Sequence, residues 1–110
     1  MEEKETGHLL VADDNRVNRM KLSRNLEQQG HTVETAENGE DALEKMRDTP
    51  FDVLLLDILM PRMDGYQVLE IMKDDATLRY IPVIVISSLD EINSAVRCIE
   101  MGAEDYLTKP

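Results

Sequence analysis

Short apolar runs alternate with polar, helix-patterned stretches along the chain. Five of the runs have the length of β-strands, at residues 9–12, 31–36, 52–57, 81–86 and 105–109. The runs at 52–57 and 81–86 hold consecutive apolar residues instead of alternating apolar and polar ones, which indicates strands buried on both faces. Strands of this kind are typical of a parallel sheet covered by helices.

The segments between the strands carry apolar residues three and four positions apart, the spacing of one helix face. The first helix is predicted at residues 15–29, because Asp13, Asp14 and Asn15 can cap its start and Gly30 can end it. Three more helices are predicted after the second, third and fourth strands. The residues expected to face the sheet are, helix by helix, Val17, Met20 and Leu26; Ala42, Leu43 and Met46; Val68, Leu69 and Met72; and Ile92, Ala95, Val96 and Ile99.

Strands that alternate with helices in this way predict an α/β fold with right-handed crossovers and an open, doubly wound parallel sheet. Such a fold carries a helix after each strand, whereas this pattern stops at Lys109 and Pro110, where the last helix would begin. We therefore expect one domain at residues 1–110 that lacks its final helix. One face of the sheet is then covered only by the helix at 15–29, and the bare apolar area favours association.

The chain contains 23 acidic and 12 basic residues, a formal net charge of −11. This charge disfavours nucleic-acid binding, which depends on Lys and Arg neutralising phosphates, and it favours a basic protein or a cation as partner. No apolar run approaches the ~20 residues of a membrane span, and the charged N-terminus does not resemble a signal peptide. Because the single cysteine, Cys98, excludes an internal disulfide, the sequence predicts a cytoplasmic protein.

Reactive side chains stand at the carboxyl ends of the predicted strands. Asp13 and Asp14 follow the first strand, Asp57 ends the third, Ser87 follows the fourth and Lys109 ends the fifth. These ends form one functional edge in an open parallel sheet, so we expect the side chains to converge there. Crowded carboxylates repel one another unless they take up protons or bind a cation, and Mg²⁺ prefers oxygen ligands.

This set of groups meets the needs of phosphoryl transfer. Asp57 can attack phosphorus, Lys109 can neutralise a phosphoryl oxygen, and the Ser87 hydroxyl can donate a hydrogen bond to another oxygen. Each group also has an ordinary structural explanation: Asp13 and Asp14 as helix caps, Ser87 as a strand-ending residue and Lys109 as a surface lysine. Their joint placement at one edge favours a functional site.

Four segments, in this order, resemble the receiver domain of bacterial response regulators. They are LVADDN at 10–15, LLLDILMPRMDG at 54–65, VISS at 85–88 and AEDYLTKP at 103–110. The resemblance runs from Leu9 to the C-terminus and implies a flavodoxin-like, five-stranded sheet with strand order 2-1-3-4-5. It also implies that Asp57 accepts a phosphoryl group from the phosphohistidine of a kinase.

The resemblance further implies a set of metal ligands. Asp14 and Asp57 would ligate Mg²⁺ directly, together with the main-chain carbonyl of Leu59. Asp13 would act directly or through a water molecule.

Ser87 and Lys109 match the hydroxyl and the lysine that sense the phosphate in the family, and Tyr106 matches the aromatic switch residue that follows the hydroxyl inward. The Lys109–Pro110 peptide is expected to be cis. Leu59 and Leu89 lie two residues beyond Asp57 and Ser87, and we expect them to hinder an attacking water and so to slow the loss of phosphate.

The partners implied by the resemblance are those of a two-component phosphorelay. A histidine kinase or a histidine phosphotransfer protein would donate the phosphoryl group. An output domain C-terminal to this chain, or a separate partner, would respond, and a homodimer is a further option. Such a domain catalyses only its own phosphorylation and dephosphorylation, so it is not an enzyme that turns over a separate substrate.

Three other readings of the same residues stay open at this point. An aspartate-nucleophile phosphatase of the haloacid dehalogenase type also uses a strand-end aspartate with Mg²⁺, but it expects a second acid where this chain has Leu59. A docking domain with an incidental acidic cleft would bind no metal and form no acyl phosphate. A flavodoxin-like carrier would need aromatic residues to hold a flavin, and this chain has no tryptophan.

Overall fold

The structure is a computed structural model that describes residues 6–109, apart from the side chain of Leu89. The expected cis peptide before Pro110 and the expected effect of the Leu89 side chain therefore lie outside the described residues. None of the helices in the described range is long and apolar enough to cross a membrane.

Strands and helices alternate through the described range as the sequence predicts. The strands are β1 (His8–Ala12), β2 (Thr32–Ala36), β3 (Val53–Asp57), β4 (Val83–Ser87) and β5 (Asp105–Thr108). The helices are α1 (Arg16–Gln28), α2 (Gly39–Asp48), α3 (Gly65–Asp74) and α4 (Ile92–Glu100). Two short 3₁₀ turns that the periodicity did not reveal, Leu78–Tyr80 and Leu89–Glu91, flank β4.

All five strands form one parallel sheet with the order β2-β1-β3-β4-β5. This arrangement confirms the predicted flavodoxin-like, doubly wound fold. The register aligns the strand ends, since Ala12 pairs with Leu56, Asp57 with Ile86, and Ser87 with Thr108. The residues that end β1, β3 and β4 therefore lie side by side along the carboxyl edge of the sheet.

Successive strand residues point to opposite faces of the sheet and form two separate apolar clusters. The larger cluster includes Leu10, Leu54, Leu56 and Val85, and α2, α3 and α4 pack against it. The smaller cluster consists of Leu9, Val11, Leu55 and Ile86, with α1 residues at its border. β3 and β4 thus contribute buried residues to both clusters, as their apolar runs predicted, and so does β1.

The prediction for the inward face of α1 is wrong at Val17 and Met20, whose side chains are 58% and 49% exposed. The residues that pack toward the sheet are Leu22 and Leu26. At 100° per residue, Met20 lies about 160° around the helix from Leu22, so these residues cannot share one face. Apolar residues on both sides of α1 made its inward face ambiguous in the sequence.

The inward face of α4 also differs from the prediction. Ala95 is buried as expected, and Cys98 is buried beside it, whereas Ile92, Val96 and Ile99 are exposed. The small residues Ala95 and Cys98 let the helix lie close to the sheet, and the larger aliphatic residues occupy the neighbouring face. Cys98 is thus a packing residue of the interface between α4 and the sheet.

Candidate metal centre

The carboxyl edge of the sheet holds buried polar residues at the ends of its central strands. Asp57 ends β3 and is fully buried, Asp13 directly follows β1, and Ser87 ends β4. These three are the buried polar residues found in the described part of the chain. Because a buried polar group is costly without a partner, their clustering at one edge points to a ligand site.

Asp13, Asp14 and Asp57 form one cluster, with a carboxylate oxygen of each within 4.8 Å of the others. Asp14 is exposed, so it forms the solvent side of the cluster, and Asp13 and Asp57 form its buried floor. The convergence that the strand ends predicted is therefore observed for these three residues. The backbone N–H of Asn15 donates to Oδ1 of Asp13 over 2.8 Å, and the Asn15 side chain caps α1.

Lys109 reaches the cluster from the end of β5. Its Nζ lies 3.1 Å from Oδ1 of Asp57, and its backbone N–H donates to the carbonyl of Ser87 over 2.8 Å. The ion pair is close, yet neither oxygen of Asp57 accepts a well-aligned hydrogen bond from any residue in the described range. Lys109 thus compensates the charge of the Asp57 carboxylate on one side, and the carboxylate oxygens keep lone pairs that a further ligand could use.

The ionisation of Asp57 is strongly perturbed. Burial, and then repulsion from Asp13, raise the pKa of Asp57 from its ordinary value of 3.8 to about 7, although Lys109 opposes the shift. Burial by itself lowers the pKa of Lys109, but attraction to Asp57, Asp13 and Glu91 outweighs it and raises that pKa above its usual value. Near neutral pH, Lys109 is charged and Asp57 sits close to its titration midpoint.

Ser87 and Tyr106, the residues for which the resemblance implies a phosphate-sensing hydroxyl and a switch role, lie on the adjacent strands β4 and β5. The Oγ of Ser87 is buried and has no hydrogen-bond partner among the described residues. Tyr106 is partly exposed and lies two residues before Thr108, the residue that pairs with Ser87 across β4 and β5. The unsatisfied hydroxyl is available to an oxygen of a bound group.

The loop after β3 returns to the end of that strand at Gly65, the first residue of α3. The N–H of Gly65 donates to the carbonyl of Ile58 over 2.7 Å, and a Cβ built on Gly65 would lie 2.9 Å from the carbonyl oxygen of Asp57. Only glycine fits this close approach. The Gly65 bond occupies the Ile58 carbonyl and not that of Leu59, the main-chain ligand that the resemblance implies.

The donor set fits Mg²⁺ on the observations of this structure. It offers hard carboxylate oxygens, two of which, on Asp57, are buried without a hydrogen bond from the described residues. Mg²⁺ takes few protein ligands and keeps positions for water and phosphate oxygens, so a shallow cluster with one exposed member suits it. A bound cation would also favour the ionised form of Asp57 by opposing the burial and the repulsion that raise its pKa.

The structure also reveals a neighbour of the cluster that the sequence reasoning missed. Arg19 on α1 donates from Nη1 to the main-chain carbonyl of Asp13 over 2.8 Å. The signal in the sequence was its spacing, because Arg19 is one helical turn after the capping residue Asn15 and so faces back toward the strand end.

Comparison with known proteins places this geometry in a family. A model of the response regulator receiver domain matches residues 9–110. Response regulator PleD from Caulobacter vibrioides is 42% identical over 106 residues, which cover 96% of this chain and 23% of PleD. Protein PilH from Pseudomonas aeruginosa is 40% identical over 102 residues, which cover 93% of this chain and 84% of PilH. The crystal structure of the N-terminal domain of a response regulator receiver protein from Methanoculleus marisnigri is similar with a TM-score of 0.82 at 36% identity, covering 94% of this chain and 85% of that one.

This chain belongs to the response regulator receiver domain family, whose members are signalling domains of two-component systems. It spans about a quarter, 23%, of the length of PleD. The activity and the partners of a whole protein that contains this domain are therefore matters for proposal.

Proposed function

We propose that this domain accepts a phosphoryl group on Asp57 from the phosphohistidine of a histidine kinase or of a histidine phosphotransfer protein. The observation that carries the proposal is the buried Asp57 carboxylate, which pairs with Lys109 and faces two further carboxylates but accepts no well-aligned hydrogen bond from the described residues. A purely structural aspartate would have such bonds, because burial without them is costly.

The transfer step follows from these groups. An oxygen of the ionised Asp57 attacks phosphorus, the bond from phosphorus to the donor's imidazole nitrogen breaks, and its electron pair stays on that nitrogen. Lys109 neutralises negative charge on the phosphoryl oxygens, and the Ser87 hydroxyl donates a hydrogen bond to one of them. Asp14, Asp57 and the main-chain carbonyl of Leu59 would hold Mg²⁺, with Asp13 acting directly or through a water molecule, and the bound ion would help to neutralise and orient the phosphoryl oxygens.

Phosphorylation of Asp57 would change the surface that the domain presents to its partners. Ser87 has to reach the phosphoryl group, and Tyr106 on the neighbouring strand would follow the space that the hydroxyl leaves. An output domain C-terminal to this chain, or a second copy of it, would read that change. This function places the protein in the cytoplasm, where its phosphate donors are located, without contact to nucleic acid or membrane by this domain.

The phosphatase alternative is weaker at one specific position. The residue two places after Asp57 is Leu59, whose side chain is exposed and has no proton to donate. A leaving alcohol would therefore lack the general acid that a phosphatase supplies. We propose that the domain acts as a phosphoacceptor and not as an enzyme with its own external substrate.

Incubation with acetyl phosphate and Mg²⁺, followed by intact-mass measurement, tests the proposal. The wild-type chain should gain one phosphoryl group and the Asp57→Ala variant none, with circular dichroism to confirm that the variant folds. Asp105→Ala, an exposed aspartate on β5, is the matched control and should be labelled like the wild type. Equal labelling of wild type and Asp57→Ala would overturn the assignment.

A further inference from the structure

Arg19 is a charged side chain that the fold holds almost out of solvent. Its side chain is only 12% exposed, although it lies on α1, a helix without a fully buried residue. Nη1 donates to the carbonyl of Asp13 over 2.8 Å, and Nη2 lies 3.6 Å from Oε1 of Glu37, which follows β2. The guanidinium therefore connects α1 to two loops at the carboxyl edge of the sheet.

The bond to Asp13 fixes more than one residue. The carbonyl of Asp13 belongs to the rigid peptide plane that leads to Asp14, so holding its oxygen also orients the Cα of Asp14. The N–H of Asp13 is engaged as well, donating to the carbonyl of Ala36 over 3.1 Å. The backbone of Asp13 is thus held on both sides, from β2 and from α1.

Asp14 depends on the hydrogen bonds that hold the Asp13 backbone. Its carboxylate is exposed, so the direction of the carboxylate is set by the backbone of Asp14. Asp13 contributes a buried carboxylate to the same cluster. We infer that Arg19 is a positioning residue for the metal site, which holds the Asp13–Asp14 peptide so that both carboxylates face Asp57. The inference rests on the proposed function, since it concerns the same Mg²⁺ and phosphoryl site.

Because Arg19 is charged, the direction in which its removal shifts the Mg²⁺ dissociation constant tests the inference. A guanidinium beside a cluster of carboxylates repels a second cation, so removing it should strengthen Mg²⁺ binding if charge alone matters. If Arg19 positions the ligands, removing it should weaken Mg²⁺ binding instead. The two roles therefore predict opposite shifts of the Mg²⁺ dissociation constant.

Arginine and lysine are not equivalent in this role. The planar guanidinium offers donors in two directions, here toward the Asp13 carbonyl and toward Glu37. A lysine keeps the charge but presents a single compact donor group. Arg19→Lys should therefore rescue only part of what Arg19→Gln loses, whereas a purely electrostatic role would make Arg19→Lys equal to the wild type.

The experiment is an NMR titration of the ¹⁵N-labelled 110-residue chain with MgCl₂, with the wild type, Arg19→Gln, Arg19→Lys and Arg24→Gln compared. Arg24 is an exposed arginine on the same helix, so Arg24→Gln matches the change in net charge without touching Asp13. We expect Arg19→Gln to raise the Mg²⁺ dissociation constant about tenfold, as loss of an outer support of a metal ligand does. Arg24→Gln should leave the constant unchanged or slightly lower.

Amide hydrogen exchange without Mg²⁺ provides a second readout. The N–H groups of Asp14 and Asn15 should exchange faster in Arg19→Gln than in Arg24→Gln, while amides of the central strand β3 keep the same rates in both. If the Mg²⁺ constant or these loop rates are the same in Arg19→Gln and Arg24→Gln, the positioning role is wrong. If Arg19→Gln unfolds, Arg19→Lys decides, because Mg²⁺ affinity equal to the wild type would refute the role.

These outcomes separate the inference from the proposed function. Labelling of wild-type Asp57 by acetyl phosphate with unchanged Mg²⁺ affinity in Arg19→Gln would refute only the role of Arg19. Absence of both Mg²⁺ binding and labelling in the wild type would refute the proposed function and, with it, the inference.

Discussion

Nζ of Lys109 lies 3.1 Å from Oδ1 of Asp57, although β4 separates the strands from which the two residues come. The ammonium thus crosses the end of β4, above Ser87, to reach the neighbouring strand. This arrangement places a cation on one side of the Asp57 carboxylate and leaves the other side to the acidic cluster.

Removal of Lys109 is predicted to slow phosphorylation more than removal of an exposed lysine elsewhere on the domain. Lys109 lowers the pKa of Asp57 against burial, so Lys109→Met leaves less ionised Asp57 at pH 7 and one fewer group to neutralise the phosphoryl oxygens. We expect the rate of labelling by acetyl phosphate to fall on the order of 100-fold. Lys73→Met, at an exposed lysine on α3, is the control, and a similar rate in both variants would contradict the prediction.

The stability of the Mg²⁺-free domain should fall as the pH rises from about 4 to about 7. The pKa of Asp57 is about 7 in the folded chain and 3.8 in the absence of its environment, so between these values the native state binds more protons than the unfolded state. The free energy of unfolding therefore decreases with pH in this window and levels off above it. Thermal unfolding across this range measures the effect, and Asp57→Asn should reduce the slope.

Mg²⁺ should reverse this dependence if Asp57 is a ligand, because the ion would then compete with the proton for the ionised carboxylate of the native state. We expect the increase in melting temperature on addition of Mg²⁺ to be larger at pH 8 than at pH 5. An equal increase at both pH values would show that Asp57 is not a ligand.

The members of the site should contribute unequally to Mg²⁺ binding in the absence of phosphate. Asp14→Asn removes a charge from the cluster that would hold the ion, whereas Ser87→Ala removes a hydroxyl that would act on the phosphoryl group and not on the ion. We expect Asp14→Asn to weaken Mg²⁺ binding strongly and Ser87→Ala to leave it nearly unchanged. Titration of the two variants side by side checks the ligand set, which is wrong if they behave alike.

The lifetime of the phosphorylated form should depend on Leu59. Its side chain is exposed on the loop that follows Asp57 and offers no group to orient a water molecule. Leu59→Asn should shorten the half-life of the phosphorylated domain several-fold, as followed by intact mass after removal of acetyl phosphate. Leu107→Asn makes the same change at an exposed leucine on β5, and the half-life should be unaffected there.

One face of the sheet is covered only by α1, and we expect the 110-residue chain to associate in solution through this face. Val17 and Met20 are exposed on α1, and Leu107 is exposed on β5. Sedimentation velocity at low and high concentration should show dimers that are lost in the Val17→Lys, Met20→Lys double variant. A chain extended by about 15 residues, roughly one helix, should be more stable; a monomer as stable as the extended chain would contradict this reading.

Much of the fold and of the site follows from the sequence. The apolar runs at Val53–Asp57 and Val83–Ser87 identify strands buried on both faces, and alternation with helices dictates the parallel sheet. Since the carboxyl ends of parallel strands share one edge, the positions of Asp13, Asp14 and Asp57 along the chain were enough to predict their convergence.

Other features were decided only by the tertiary structure. Periodicity sets the angles between side chains on a helix but not which side meets the sheet. Leu26 packs inward as expected, but its neighbour on that face is Leu22, and Val17 and Met20 are exposed. The raised pKa of Asp57 depends on burial by distant segments and on Asp13 and Lys109. The contact of Arg19 with the Asp13 carbonyl likewise depends on how α1 lies against β1. These properties arise from distances between residues far apart in the chain, which a local sequence pattern does not encode.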